Sequence, residues 1–180
     1  MRPMRFVRLL SCVLVLLAAR GARAQEESAP EHRFTLYGRA SGLLYLSDAR
    51  TTGGVGGGVG LRDTLRERFI LQADLSYLMA LGNVGVLRLG AGVQRSGTYT
   101  PAVLLTLSTF LGDRLAFLTP GHPTPVTGPA MALGVNLAPL RFTHEGMQVS
   151  LLELGIGVGS DLPGLGLSYQ LGILEVGTRF

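Results

Sequence analysis

Apolar and polar residues alternate along most of this chain. Segment 69–81 shows the pattern most clearly, because its odd-numbered residues are apolar while Gln72, Asp74 and Ser76 occupy even positions. Successive side chains of a β-strand point to opposite faces, so the pattern predicts a strand with one apolar face. Eight such strands are predicted, at 33–47, 53–62, 66–81, 85–95, 99–112, 129–142, 147–159 and 164–180. No helix is predicted beyond residue 24.

The third and fourth strands can be aligned by their apolar faces, because outward residues of one strand must pair with outward residues of the next. A three-residue connection, 82–84, satisfies this rule. It places Gln72 opposite Gln94 and Asp74 opposite Gly92.

The last two strands are aligned in the same way. A four-residue connection, 160–163, places Glu153 opposite Gln170. The alternation slips at Ile173 and Leu174, which predicts a β-bulge there.

Together these strands predict an eight-stranded antiparallel up-and-down transmembrane β-barrel. Each strand has the roughly 9 to 11 residues that a tilted membrane strand requires, and a closed barrel pairs every backbone group in lipid. The polar faces then line the lumen. The predicted lumen cluster comprises Arg39, Gln72, Asp74, Arg88, Gln94, Asn136, Glu153, Gln170 and Glu175.

Two interpretations of this cluster are open. Glu153 and Glu175 would form a paired-carboxylate site or part of a narrow conduit. Alternatively, arginines and acids neutralise one another as a plug, because an unpaired buried charge is costly. We favour the plug, since the interior of an eight-stranded barrel is just filled by side chains.

The connections differ in length and charge. In bacterial barrels the first, third, fifth and seventh connections face outward and are the longer ones, and the fifth, Asp113–Gly128, is the longest here. Its role is left open. Arginines occur at strand ends assigned to the periplasm: Arg33, Arg62, Arg66, Arg95, Arg141 and Arg179.

The first 24 residues have the form of a secretory signal peptide. Three arginines precede the apolar run 9–19, and Ala22, Arg23 and Ala24 form an A-x-A cleavage site before Gln25. The predicted organisation is a leader at 1–24, a short periplasmic lead-in at 25–32 and the barrel at 33–180. Cys12 follows a lipobox-like triplet, but the apolar run continues past it, so lipidation is not expected.

Removing the leader changes the charge balance. It removes five of the 16 arginines and none of the 12 acidic residues, which leaves a net charge of −1. The basic composition of the whole chain therefore does not indicate nucleic-acid binding. Without Cys12 the chain has no cysteine, so disulfides and thiolate metal sites are excluded.

Residues 33–180 resemble the small outer-membrane barrels of the OmpA transmembrane-domain, OmpX and OmpW type. The family's assembly signal is a last strand that ends in an aromatic residue with alternating apolar residues before it, here Val176, Thr178 and Phe180. Glu175 stands where a glycine is common. The resemblance implies an outer-membrane location, with lipid, lipopolysaccharide and the assembly machinery as partners, and a monomer without a cofactor.

The resemblance implies a structural or surface-interaction role rather than catalysis. His32, His122 and His144 lie in the lead-in or in connections, at no metal-ligand spacing, and no His-x-Ser-Asn element of the lipid A deacylases is present. A lipid A-modifying enzyme is thus a lesser alternative. The main alternative is a soluble exported barrel that binds a small apolar ligand inside. The glycine-rich run 53–60 has no P-loop Lys-Ser/Thr and is interpreted as strand glycines that allow close backbone approach.

Overall fold

The computed structural model describes residues 32–48, 50–79, 83–112, 129–161 and 164–180. These residues form β1 (His32–Ser47), β2 (Thr51–Leu65), β3 (Phe69–Leu78), β4 (Val84–Gln94), β5 (Ala102–Gly112), β6 (Ala130–Ala138), β7 (Arg141–His144), β8 (Met147–Ser150), β9 (Glu153–Asp161) and β10 (Gly164–Arg179). Within this part of the chain, no helix is long and apolar enough to cross a membrane.

The ten strands form one closed antiparallel barrel. Closure follows because β1 pairs with both β2 and β10. β6 and β7 make one wall strand, and β8 and β9 make the next, since β6 pairs with β9, β7 with β8, and β10 with both β8 and β9. The wall therefore has eight strands in up-and-down order, which confirms the predicted fold class. His32 is the first residue of β1, so its assignment to the lead-in was wrong.

The two faces of the wall differ in polarity. On β3, Leu71 and Leu75 are 52% and 60% exposed, whereas Gln72 and Asp74 are 5% and 4% exposed. Large apolar side chains are exposed around the whole wall: Leu36, Val59, Leu87, Leu105, Leu133, Ile156 and Leu167. The outer surface is thus apolar and the lumen polar.

Buried apolar side chains form two clusters toward the two ends of the lumen. One cluster, which includes Tyr45, Leu78 and Phe110, lies at the end where β1 and β3 finish. A smaller one, which includes Ile70 and Leu104, lies toward the other end. We call this second end the terminal end, because β1 begins and β10 finishes there. Most of the polar lumen residues lie between the two clusters.

The pairing of β3 with β4 differs from the predicted register. Asp74 lies opposite Arg88, and Gln72 lies opposite Gly90. The reason is the position of the turn: β3 ends at Leu78 and β4 begins at Val84, so the turn is centred on residue 81 rather than on residue 83. The predicted partners were therefore wrong by four positions, but an even shift keeps each residue on its predicted face.

The predicted pairing of β9 with β10 was also wrong, here by two positions. Glu153 lies opposite Gly172, and Gln170 opposite Gly155. β9 continues to Asp161 and β10 begins at Gly164, so the connection has two residues rather than four. The faces are again as predicted.

Three neighbouring strands slip phase at one level of the wall. The bulge predicted at Ile173–Leu174 is confirmed, because Ala40 pairs with Leu174 while Ser41 pairs with Gly172. Segments 139–140 and 151–152 interrupt the next two wall strands, and Leu151 N donates to Leu140 O at 2.9 Å. We call this line of three slips the crease.

The glycine-rich run lies in β2, where its even-numbered residues face inward. A Cβ at Gly60 would overlap the Tyr37 ring and lie 2.7 Å from Asp74 Cβ. A Cβ at Gly58 would lie 2.8 Å from Ser76 Cα. These glycines therefore permit close approach of neighbouring groups, as interpreted from the sequence.

A charged lumen cluster as the candidate functional site

The structure places all nine lumen candidates inside the barrel, each at most 9% exposed. Eight of them join two connected groups of hydrogen bonds and ion pairs. Gln94 lies apart, because its side-chain amide donates to Glu67 O at 3.3 Å near the terminal end.

The first group is a ring of alternating charge formed by Arg39, Asp74, Arg88 and Glu153. Asp74 accepts from Arg88 Nε at 3.0 Å and from Arg39 Nη1 at 3.5 Å. Glu153 lies 3.1 Å from Arg88 Nη1 and 3.2 Å from Arg39 Nη2. Each carboxylate thus lies between the same two guanidinium groups. These four residues come from β1, β3, β4 and β9, so the ring crosses the lumen.

Neutral side chains complete the ring. Asn136 Nδ2 donates to Glu153 Oε1 and to Gln170 Oε1, both at 2.9 Å. Tyr37 Oη donates to Asp74 Oδ2 at 3.1 Å. These bonds occupy further carboxylate lone pairs, which lowers the cost of burying the charges.

The second group is centred on Arg62. Its guanidinium binds Glu175 through two contacts, Nη1 to Oε1 at 2.7 Å and Nη2 to Oε2 at 3.0 Å. Nε and Nη2 both donate to Gln72 Oε1 at 3.1 Å, and Nη1 donates to Gln148 Oε1. The guanidinium carbon also lies 4.5 Å from the centroid of the Tyr37 ring. Tyr37 therefore connects the two groups.

Sequence reasoning missed Tyr37, Arg62, Arg141 and Gln148 as lumen residues. The assignment of Arg62 and Arg141 to polar strand ends was wrong, because both side chains are fully buried. β2 continues to Leu65, which puts Arg62 three residues inside the strand. Its parity, opposite to that of Leu61, was the available signal. The crease hides the corresponding signal for Arg141.

The remaining candidates lie at the terminal end or outside the described residues. His32 Nδ1 contacts Asp63 at 2.8 Å, and His144 lies 3.5 Å from Glu145 with both side chains exposed. Val176, Thr178 and Phe180 are exposed on the outer face, and the Phe180 and Phe34 rings stack with centroids 6.2 Å apart. The cleavage residues Ala22, Ala24 and Gln25, together with His122 and segment 113–128, lie outside the described residues.

The geometry does not favour chemistry at Glu153 and Glu175. A general acid or base needs a proton to exchange with a substrate, whereas each of these carboxylates is held by buried arginines and is at most 3% exposed. A closed barrel with an apolar outer wall and this neutralised interior defines the class: a transmembrane β-barrel of outer-membrane type.

Comparison with solved structures agrees with this class. The barrel is similar to Neisserial surface protein A, with a TM-score of 0.55, 10% sequence identity and coverage of 82% of this chain and 97% of that one. Ail, the attachment invasion locus protein of Yersinia pestis, gives a TM-score of 0.47 at 12% identity, covering 83% of this chain and 99% of that one. No protein-family profile matches the sequence, and no curated protein shows detectable similarity to it.

Proposed function

We propose that this protein is an integral outer-membrane barrel whose lumen is plugged, and that its role is structural or one of surface interaction rather than transport or catalysis. The observation that carries the proposal is the ring of Arg39, Asp74, Arg88 and Glu153. It joins four wall strands across the lumen with buried ion pairs.

The ring supports a closed lumen on energetic grounds. Breaking one partner of a buried ion pair costs about 3 to 5 kcal/mol, so opening a continuous water path through four such pairs is strongly disfavoured. The apolar cluster around Phe110 adds a dry layer at one end of the lumen. A permeating ion would have to displace this layer as well as the ring.

Conductance tests this proposal. The purified barrel, refolded into planar bilayers, is expected to show no sustained channel openings. An Arg39→Ser/Glu153→Ser variant, which removes one cation and one anion from the ring, is expected to show small openings. Arg33→Ser/Glu67→Ser removes an ion pair of 2.7 Å outside the ring and should stay closed. Steady conductance by the unmodified protein would overturn the plug.

The proposed location is the outer membrane, with lipid and lipopolysaccharide around the wall and insertion by the outer-membrane assembly machinery. The apolar outer wall supports this location, and the Phe34 and Phe180 rings would lie at one membrane interface. A monomer is proposed. The test is gel mobility of protein from a detergent-solubilised outer-membrane fraction, with and without boiling. A heat-dependent shift in that fraction is expected, because a closed barrel resists SDS until heated.

The alternative of a soluble barrel with an internal apolar ligand is opposed by the same two faces. A soluble barrel would expose polar residues and keep large apolar side chains inside, whereas Leu75 and Val59 are 60% and 62% exposed. Recovery of the protein from the soluble periplasm without a heat shift would favour this alternative.

A further inference from the structure

We propose that Arg141 and Ser150 bind a small inorganic anion, of the size of chloride, inside the terminal half of the barrel. The Arg141 side chain is fully buried, and its Nε, Nη1 and Nη2 all lack a hydrogen-bond partner among the described residues. Buried polar groups are normally paired. The three unpartnered nitrogens of Arg141 carry five N–H donors, so this buried guanidinium needs an acceptor.

The Ser150 hydroxyl, on the neighbouring strand, is a further donor without a partner in the described part of the chain. Arg141 and Ser150 are directly paired residues of β7 and β8, and both face the lumen. Side chains of paired residues stand about 4.5 to 5.5 Å apart at Cβ. Ser150 Oγ is also buried without a hydrogen-bond partner. An acceptor between the two side chains can receive hydrogen bonds from both.

The balance of charge indicates that the acceptor is an anion. The two connected groups and Arg141 contain four guanidinium groups, Arg39, Arg62, Arg88 and Arg141, against the three carboxylates Asp74, Glu153 and Glu175. Arg50, the other buried arginine of the described part, lies beyond β1 at the opposite end and has a contact of its own. One buried positive charge is thus left over, and it belongs to Arg141.

The Glu175 carboxylate, which attracts Arg141, is already bound by another arginine. Arg62 repels and Glu175 attracts the Arg141 guanidinium, but Arg62 holds both oxygens of Glu175 at 2.7 and 3.0 Å. At the terminal end, Arg179 Nη2 donates to Thr143, close to the β7–β8 turn.

The anion must be small, because the interior of an eight-stranded barrel is just filled by side chains. A monovalent halide balances the single excess charge. The site goes beyond the proposed function, because it would hold an ion inside the closed lumen without conducting it.

Halide dependence of the folded barrel tests the site. Thermal unfolding of the refolded protein in detergent is measured in sodium chloride, sodium bromide and sodium gluconate at equal ionic strength. We expect the midpoint to rise with chloride and bromide to a plateau and not with gluconate. Arg141→Met should abolish the difference, and Arg95→Met, which removes an exposed arginine, should leave it unchanged.

A second measurement covers the case in which Arg141→Met does not fold. Ser150→Ala keeps the charge and should weaken the halide dependence, and crystals grown in bromide should show an anomalous peak between Arg141 and Ser150. Equal midpoints in chloride and gluconate for the unmodified protein, or bromide-grown crystals without that peak, would show that water alone serves Arg141 and would overturn the proposal.

Discussion

Asp74 and Arg88 are directly opposite residues of β3 and β4, and Arg88 Nε donates to Asp74 Oδ2 at 3.0 Å. The turn between the two strands is centred on residue 81, and this position sets the pairing. A turn centred on residue 83 would put Gly92 opposite Asp74 and remove the cation from it. The position of one turn thus determines whether the lumen ring can form.

Removing Asp74 tests how much the ring stabilises the folded barrel. Asp74→Ala leaves Arg39 and Arg88 with one shared carboxylate, so we expect a loss of about 3 to 5 kcal/mol in the free energy of unfolding. Urea titration of the refolded barrel in lipid vesicles measures it. The control is Asp63→Ala, which removes a contact to the half-exposed side chain of His32 and should cost about 1 kcal/mol or less. Equal losses for both variants would contradict the ring's importance.

Arg62 and Glu175 should behave as one unit. Arg62→Met alone leaves Glu175 unpaired in the lumen, with an expected cost of about 3 to 5 kcal/mol. Adding Glu175→Gln removes the stranded charge and should restore part of the stability. A double-mutant cycle on urea unfolding measures the coupling. Strict additivity of the two single costs would show that the pair contributes nothing as a pair.

Arginine substitutions at two depths along β3 test whether the apolar face of the wall meets lipid. Leu75→Arg puts a charge on the apolar outer face of β3 and should cost about 2 to 4 kcal/mol, whereas Met79→Arg, beyond the end of that strand, should cost about 0 to 1 kcal/mol. Both side chains are at least 60% exposed, so burial in the protein cannot explain a difference. If unfolding in vesicles shows no penalty at Leu75, that face does not meet lipid.

Gly60 tests the close approach of β2 to the lumen ring. A methyl group there would overlap the Tyr37 ring, so Gly60→Ala should cost about 1 to 3 kcal/mol through overpacking. At Gly85 the nearest atom to a Cβ is Leu111 O at 3.7 Å, an ordinary contact, and Gly85→Ala should be close to neutral. Comparable unfolding curves for both variants would remove the packing argument.

The sequence predicted which face of its strand a residue occupies better than it predicted the residue's partner on the neighbouring strand. Parity depends only on which side of a strand is apolar, so the inward placement of Asp74, Glu153 and Gln170 could be read from alternation alone. Register depends on where each turn is centred, and alternation constrains that position only by keeping the apolar faces together. For this reason the Asp74–Arg88 contact could not be foreseen.

Arg141 illustrates the second limit of sequence reasoning. Its parity is reversed relative to β6 by the slip at 139–140, so alternation counted from Leu133 or Leu137 places it on the wrong face. The slip at Ile173–Leu174 leaves two adjacent apolar residues in the sequence as a visible sign. The slip at 151–152 carries the same sign, Leu151 next to Leu152, whereas the slip at 139–140 is marked in the sequence only by Pro139.

The three slips of the crease depend on one another, because the strands that carry them are neighbours in the wall. A one-residue deletion that removed a single slip would turn half of one strand over, bringing Arg141, Ser150 or Glu175 toward lipid while its neighbours stayed in place. Such a deletion is tolerable only if the adjoining strands lose their extra residue as well. Relatives of this chain should therefore carry all three slips or none, and length changes at this level of the wall should be inherited as a set.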